Sequence, residues 1–281
     1  MARFAAGSLP VFAVGELRVV KLFPPCFRSE AEVERDALMA VEGRLPIPTP
    51  RVDACGELDG WTYVVMERLH GRGLAEAWSE IDRAARERLA EDVGVATAAL
   101  HGIDPATVGA AVPRPDWLAF IDAQRVACVE RQRARGLAPE WLERLPAFLD
   151  DVIDEVIVEV IVAAPPRRAL LHTEIMREHL LVAKDAGTWR LSGLFDFEPA
   201  MIGDPDYELA SIGVFVTGGD AKLLSRFVAG YGRDPGPDVF MTYALLHRYS
   251  NLRWYLERVP ARGAETIEEL AREWWPGEGG E

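Results

Sequence analysis

Two short stretches constrain this chain more than anything else in it: Leu171-His172-Thr173-Glu174-Ile175-Met176-Arg177-Glu178-His179-Leu180-Leu181, followed by Leu194-Phe195-Asp196-Phe197-Glu198. Both set ionisable side chains against apolar runs. A carboxylate at the end of the apolar run Leu194-Phe195 is costly to bury unless it is paired or binds a metal. Asp196 is therefore the first candidate for a functional group, and Glu174 and His179, five residues apart ahead of Leu180-Leu181, are the next.

Composition narrows the setting. With 281 residues and 49% hydrophobic content, the chain can bury one large domain or two lobes. Cys26, Cys55 and Cys128 lie far apart without metal spacing, which argues against a disulfide framework or structural zinc and fits a reducing cytoplasm. No apolar run is long enough to span a membrane, since Val152 to Ala164 is interrupted by Asp154, Glu155 and Glu159. The apolar start, Met1 to Val14, runs without a cleavage pattern into the strand-like Val19-Val20-Lys21-Leu22 and so does not read as a signal peptide. The net charge of −14 argues against nucleic acid as a partner and suits a cationic ligand.

Residues 1 to 66 alternate β-like runs with turns: Pro10–Val14, Leu17–Phe23, then Val52–Leu58 and Trp61–Met66 around Asp59-Gly60. Between them the spacing predicts a helix over Ser29–Glu42, with Ser29 as N-cap and Val33, Ala37, Leu38 and Val41 on one face. Helices dominate from about residue 75. One carries Leu89, Val93, Ala96 and Leu100 and stops at Gly102; others are expected over Trp117–Arg133, Leu142–Ala163, Tyr207–Thr217, Lys222–Tyr231, Val239–Arg258 and Ile267–Trp275, before a frayed tail at Gly277–Glu281.

These residues resemble the aminoglycoside phosphotransferase family, distant relatives of the protein kinases. Its first motif usually reads His-Gly-Asp, with Asn five residues after the Asp and an apolar strand beyond; here Glu174 stands for the Asp and His179 for the Asn. Asp196-Phe197 resembles the family's metal-binding pair, Gly203-Asp204-Pro205 its helix-opening segment, and Pro46-Ile47-Pro48-Thr49-Pro50 its proline segment. Within the family the likeness is greatest to actinobacterial hygromycin B phosphotransferases. The resemblance implies an α+β, bilobal protein-kinase-like fold. Residues 1–68 would form a small β-rich nucleotide-binding lobe and 69–281 a larger helical lobe for catalysis and substrate binding. Relatives carry more residues ahead of the glycine hairpin, so Met1 is expected to be an internal start or a boundary.

The same resemblance implies roles. Gly7 and Ser8 would lie in the nucleotide hairpin, and Lys21 would hold the α/β-phosphates with Glu34 as its ion-pair partner. Glu67 to Leu69 would form the hinge that meets an adenine edge through backbone groups. Asp196 would hold Mg²⁺, which prefers hard oxygen ligands. Glu174 would accept or orient the proton of the attacking hydroxyl, although the extra methylene displaces its carboxylate by roughly 1 Å, an error worth about two orders of magnitude unless compensated. His179 either binds Mn²⁺, leaves a single metal on Asp196, or yields the role to Glu178; a single metal or a hydrogen-bonding His179 is favoured, because imidazole is a poor Mg²⁺ ligand. His172 would position the loop, and Asp204 would cap a helix or tie down the catalytic loop. Asp116, Asp122, Glu198, Asp206 and Glu208, with Trp117, Trp254, Tyr255, Trp274 and Trp275, are candidate pocket residues, of which only Glu198 is selected as substrate-binding because it directly follows the metal pair.

The implied activity is phosphorylation, by ATP or another nucleoside triphosphate, of a hydroxyl on a cationic or sugar-containing small molecule, either an aminoglycoside-like antibiotic or a biosynthetic intermediate, by a monomer or homodimer. The alternative is a pseudokinase that keeps the fold as a binding module. A protein kinase is disfavoured, since only six residues separate Asp196 from Gly203 and no Ala-Pro-Glu motif follows.

Overall fold

The computed structural model describes residues 2–4, 7–156 and 167–276. The N-terminal part is one antiparallel sheet of β1 (Ala2–Arg3), β2 (Val11–Val14), β3 (Arg18–Phe23), β4 (Val52–Leu58) and β5 (Trp61–Glu67), in the order β1-β2-β3-β5-β4. The β4–β5 hairpin turns on Asp59 (φ +50°) and Gly60 (φ +79°), and two consecutive positive φ values match the right-handed twist of the flanking strands. Lys21 lies in register between Val11 and Val64 in the middle of this sheet. Helix α1 (Arg28–Val41) packs its buried Val33, Ala37, Leu38 and Val41 onto it, together with the buried Glu34.

Ser29 does not cap α1. A 3₁₀ turn over Pro25–Phe27, closed by the Phe27 amide on the Pro24 carbonyl at 2.8 Å, feeds straight into the helix, and the Ser29 hydroxyl donates to Glu30 at 2.8 Å instead.

Beyond the sheet the chain is mainly helical: β6 (Arg72–Gly73), α2 (Leu74–Ala77), α3 (Arg83–His101), α4 (Trp117–Ala134), α5 (Pro139–Leu142) and α6 (Leu145–Val156) come first. Then β7 (Ala169–Leu171), β8 (Leu180–Asp185), β9 (Thr188–Leu194) and β10 (Met201–Gly203) lead into α7 (Pro205–Ile212), α8 (Ala221–Tyr231), α9 (Pro237–Leu246), α10 (Leu252–Arg258) and α11 (Ile267–Trp274). Strands β7 and β10 pair with each other, while β6, β8 and β9 form a small sheet. Both sequence motifs therefore sit at strand ends, and the pairing of β7 with β10 and of β8 with β9 brings the two loops together.

Three expected helices differ. The Leu142–Ala163 run is broken at 143–144, and its part beyond Val156 lies outside the described residues, as do Met1 and the Gly277–Glu281 tail. The Val239–Arg258 run is broken at 247–251: the Arg248 amide donates to the Tyr207 hydroxyl at 2.7 Å rather than back along the helix, and Asn251 caps α10 by accepting from the Trp254 amide at 3.2 Å. Helix α7 begins earlier than expected, at Pro205, and its continuation Gly213–Thr217 is a π-helical turn. Asp204 caps α7, accepting from the Asp206 amide at 2.9 Å. Among the described residues, no helix is long and apolar enough to cross a membrane.

Candidate active site

Lys21 anchors the cluster. It is 6% exposed and its Nζ lies 3.0 Å from Glu34 Oε2, 2.5 Å from Glu198 Oε2, and in a close ion pair with Asp196 Oδ1. Burial alone would lower its pKa, but the three carboxylates raise it well above the ordinary lysine value. Burial raises Glu34 and Glu198 above the ordinary carboxylate range, against the pull of Lys21. Burial also opposes ionisation of Asp196, yet Lys21 and His179 outweigh it and hold its carboxyl low. The backbone of Asp196 is left-handed (φ +75°), a conformation that aspartate tolerates better than most residues, and it turns the carboxylate out of the strand direction toward Lys21.

Oxygens of Glu34, Asp196 and Glu198 all lie within 4.8 Å of one another, the donor chemistry a hard divalent cation takes. His179, expected as a possible metal ligand, stands outside that group. Its Nδ1 donates to the Glu174 carbonyl at 2.8 Å and its Nε2 faces Asp196 Oδ2 at 3.2 Å, so the ring bridges the two motifs and both nitrogens already have partners.

His172 is fully buried; its Nε2 donates to the Phe195 carbonyl at 3.0 Å and its Nδ1 accepts from the Glu174 amide at 3.3 Å. Burial and the neighbouring His179 push its pKa down to about 4, so it is neutral and acts through those two hydrogen bonds. Glu174 is half-buried, and burial raises its carboxyl above the ordinary range despite His179 and Arg248 nearby. Among the described residues no hydrogen bond holds its side chain.

The expected hinge is only partly available. The amides of Glu67 and Arg68 donate to the carbonyls of Arg51 (2.8 Å) and Leu17 (2.9 Å), so a base edge would have to meet carbonyls or the Leu69 amide. Gly7 (φ +109°) and Ser8 are exposed in the turn between β1 and β2.

Most of the wider pocket candidates lie elsewhere. Trp117, Tyr255, Trp274 and Trp275 are core side chains; Asp116 caps α4; Asp122 is an exposed helix residue and Trp254 packs on Phe215. Asp206 is buried in ion pairs with Arg167 (3.0 Å) and Arg233. Glu208 is buried behind the His172–Glu174 loop, accepting from the amides of His172 (3.1 Å) and Thr173 (2.7 Å) and meeting His101 Nε2 at 2.9 Å.

Two residues were passed over in the sequence. Thr173 occupies the position of the family's glycine and has φ +70°, and Arg248 contacts it at 3.1 Å from the break between α9 and α10. The His172-Thr173-Glu174 triplet held a signal for the first; Arg248 had none, because its contact depends on a helix break set by Tyr207.

The family model described as the phosphotransferase enzyme family matches residues 2–243. The chain belongs to that family. It shares its fold with APH(2″)-IIIa in complex with GDP and kanamycin, at 20% identity with a TM-score of 0.72, covering 97% of this chain and 90% of that one. The macrolide 2′-phosphotransferase MphH of Brachybacterium faecium superposes with a TM-score of 0.60 at 21% identity, over 98% of this chain and 91% of its own. APH(3″)-Id of Streptomyces rimosus, with ADP and streptomycin, has a TM-score of 0.62 at 18% identity, over 84% and 88%. The chain thus has the bilobal, kinase-like architecture expected of it. A curated relative, the lysine-specific demethylase JMJ21 of Arabidopsis thaliana, is 25% identical over 219 residues, which are 65% of this chain and 23% of that protein. The chain therefore matches less than a quarter of the length of that relative.

Proposed function

We propose that this phosphotransferase moves the γ-phosphoryl group of ATP to a hydroxyl of a cationic, sugar-containing small molecule of the aminoglycoside type. The observation that carries the reading is the buried Lys21–Glu34 ion pair at 3.0 Å, set against Asp196 and Glu198 from the second motif. A lysine held this way is a fixed positive charge for phosphate oxygens. The solved neighbours with GDP, ADP or ATP bound, and with kanamycin or streptomycin, support the substrate classes. Residues 1–68 serve as the nucleotide-binding unit and 69–281 as the catalytic and acceptor-binding unit.

Asp196 and Glu198 would hold Mg²⁺, leaving Glu34 to Lys21; when bound, the ion neutralises phosphate charge. Lys21 exchanges part of its carboxylate shell for α/β-phosphate oxygens, while Glu34 keeps its ammonium in place. His179 ties the Glu174 carbonyl to Asp196, which fixes the spacing of the two loops. Glu174 takes the proton from the acceptor hydroxyl as its oxygen bonds to phosphorus and the bond to the leaving ADP oxygen breaks. A carboxyl raised by burial is a stronger base than an exposed one, which favours this role. Most of the rate enhancement then comes from positioning and charge neutralisation. Glu198, the acid that follows the metal-binding pair, also faces a cationic acceptor.

The test is incubation with ATP, Mg²⁺ and a panel of aminoglycosides that includes kanamycin and streptomycin. The reading expects one of them to gain the mass of one phosphoryl group. Nucleotide binding with no phosphorylated product across the panel, and no ADP release, would favour the non-catalytic alternative.

A further inference from the structure

We propose that Arg248 is a positioning residue for the transfer step: its guanidinium, with Nη2 shared between the Thr173 hydroxyl and the Pro199 carbonyl, holds a left-handed turn that aims the Glu174 carboxylate at the acceptor. This rests on the assignment of Glu174 as the base.

Thr173 is fully buried at φ +70°. A β-branched residue rarely adopts that backbone, and such strain costs about 1–3 kcal/mol, persisting only where the surroundings over-determine it. Every polar group of Thr173 is bound. Its amide donates to Glu208 Oε1 at 2.7 Å, its carbonyl accepts from His247 Nε2 at 3.1 Å, its hydroxyl donates to the Pro199 carbonyl at 3.0 Å, and the same hydroxyl accepts from Arg248 Nη2 at 3.1 Å. The Nη2 of Arg248 also donates closely to the Pro199 carbonyl. One guanidinium therefore links the residue before Glu174 to the residue after Glu198.

Arg248 is itself fixed for this purpose. Its amide donates to the Tyr207 hydroxyl at 2.7 Å, its Cζ lies 4.9 Å from the ring centroid of Tyr249, and its Nε is buried without a hydrogen-bond partner among the described residues. An unmade hydrogen bond on a buried cation is unfavourable in isolation, so the side chain is held by what its far end does. The positive charge also acts on Glu174, opposing the effect of burial there. A glycine at 173 would take the same backbone without strain and without a clamp. The threonine instead adds a hydroxyl that ties the turn to the Pro199 carbonyl and to Arg248, locking the loop at the one residue that precedes the longer-than-usual acid.

The test uses kanamycin as acceptor with ATP and Mg²⁺, measuring kcat, both KM values and the unfolding temperature. Arg248→Ala is expected to lower kcat about 10²-fold, the scale of a 1 Å misplacement, with both KM values unchanged, and added methylguanidinium is expected to restore part of it. Arg248→Lys keeps the charge on a shorter side chain whose ammonium stops short of the position Nη2 occupies beside Thr173 and Pro199, and should remain impaired. Thr173→Gly should lower kcat without lowering the unfolding temperature, since it removes strain along with the clamp. Wild-type kcat in Arg248→Ala, or in Thr173→Gly, would overturn the proposal. If the wild-type protein phosphorylates no member of the aminoglycoside panel and releases no ADP, the functional reading fails by itself. The clamp is then judged by hydrogen exchange at the Glu174 amide: faster exchange in Arg248→Lys and Thr173→Gly supports it, and unchanged exchange refutes it.

Discussion

An ammonium 6% exposed among three carboxylates is stable only as a set: each member offsets the desolvation of the others, and removing the cation leaves buried negative charges facing one another. Lys21→Ala should therefore act twice, weakening ATP binding at least about tenfold, as loss of a single phosphate contact implies, and lowering the unfolding temperature. Calorimetric titration and thermal melting check both, and ATP affinity equal to wild type would remove Lys21 from the nucleotide site. Lys21, Glu34 and Asp196 were legible in the sequence because each marks a regular element: a residue of an apolar strand, an acid on the buried face of the next helix, and an acid at a strand end. His179 was legible as a departure, yet its role appears only in the fold, where its ring fills the gap between Glu174 and Asp196. Thr173 and Arg248 act through backbone conformation and a long-range contact, and spacing encodes neither.

Helices α3 and α8 meet backbone to backbone. A Cβ on Gly94 would sit 2.2 Å from the Phe227 carbonyl oxygen, and one on Gly230 would sit 2.2 Å from that of Glu91. Two helical glycines thus remove the side chains that would hold these helices apart. Gly94→Ala is expected to destabilise the protein by about 1–3 kcal/mol through overpacking, which outweighs its gain in helix propensity. Urea unfolding measures this, and a stability equal to or above wild type would contradict the close crossing. Element positions were readable where a periodic apolar face met a turn signal, as in the Asp59-Gly60 hairpin and α3. They were not readable where tertiary bonds intervene: nothing local in Val239–Arg258 announces a break, because the group that takes the Arg248 amide is the hydroxyl of Tyr207, far away in sequence.

For the whole molecule, acid sensitivity follows from what is buried neutral. His247 is buried with its Nε2 donating to the Thr173 carbonyl, and burial, helped by Arg248, pushes its pKa from the ordinary 6.5 down to about 3. In that shift the unfolded chain takes up the proton first. The stability His247 contributes is therefore fully present above pH 6.5 and is lost as pH falls toward 3. Asp204, raised to about 6 by burial and by Asp206, works in the opposite direction, losing its contribution as pH rises through that range. His247→Gln should therefore flatten the acid limb of the stability curve relative to wild type, measured by urea unfolding from pH 7 to 4; parallel curves would show that His247 is not buried neutral. At this scale the two-part architecture was legible from the change from β-like to helical patterning, whereas the working state of the site was not, since it turns on whether Glu174 reaches the acceptor. That is the central claim, and turnover of Glu174→Gln and Glu174→Asp beside wild type tests it most directly. The account predicts that Glu174→Gln binds ATP normally but loses about 10²–10⁴-fold in phosphoryl transfer, and that Glu174→Asp is also slower because the clamped loop is set for the longer side chain. Wild-type phosphorylation by Glu174→Gln, or faster transfer by Glu174→Asp, would contradict it.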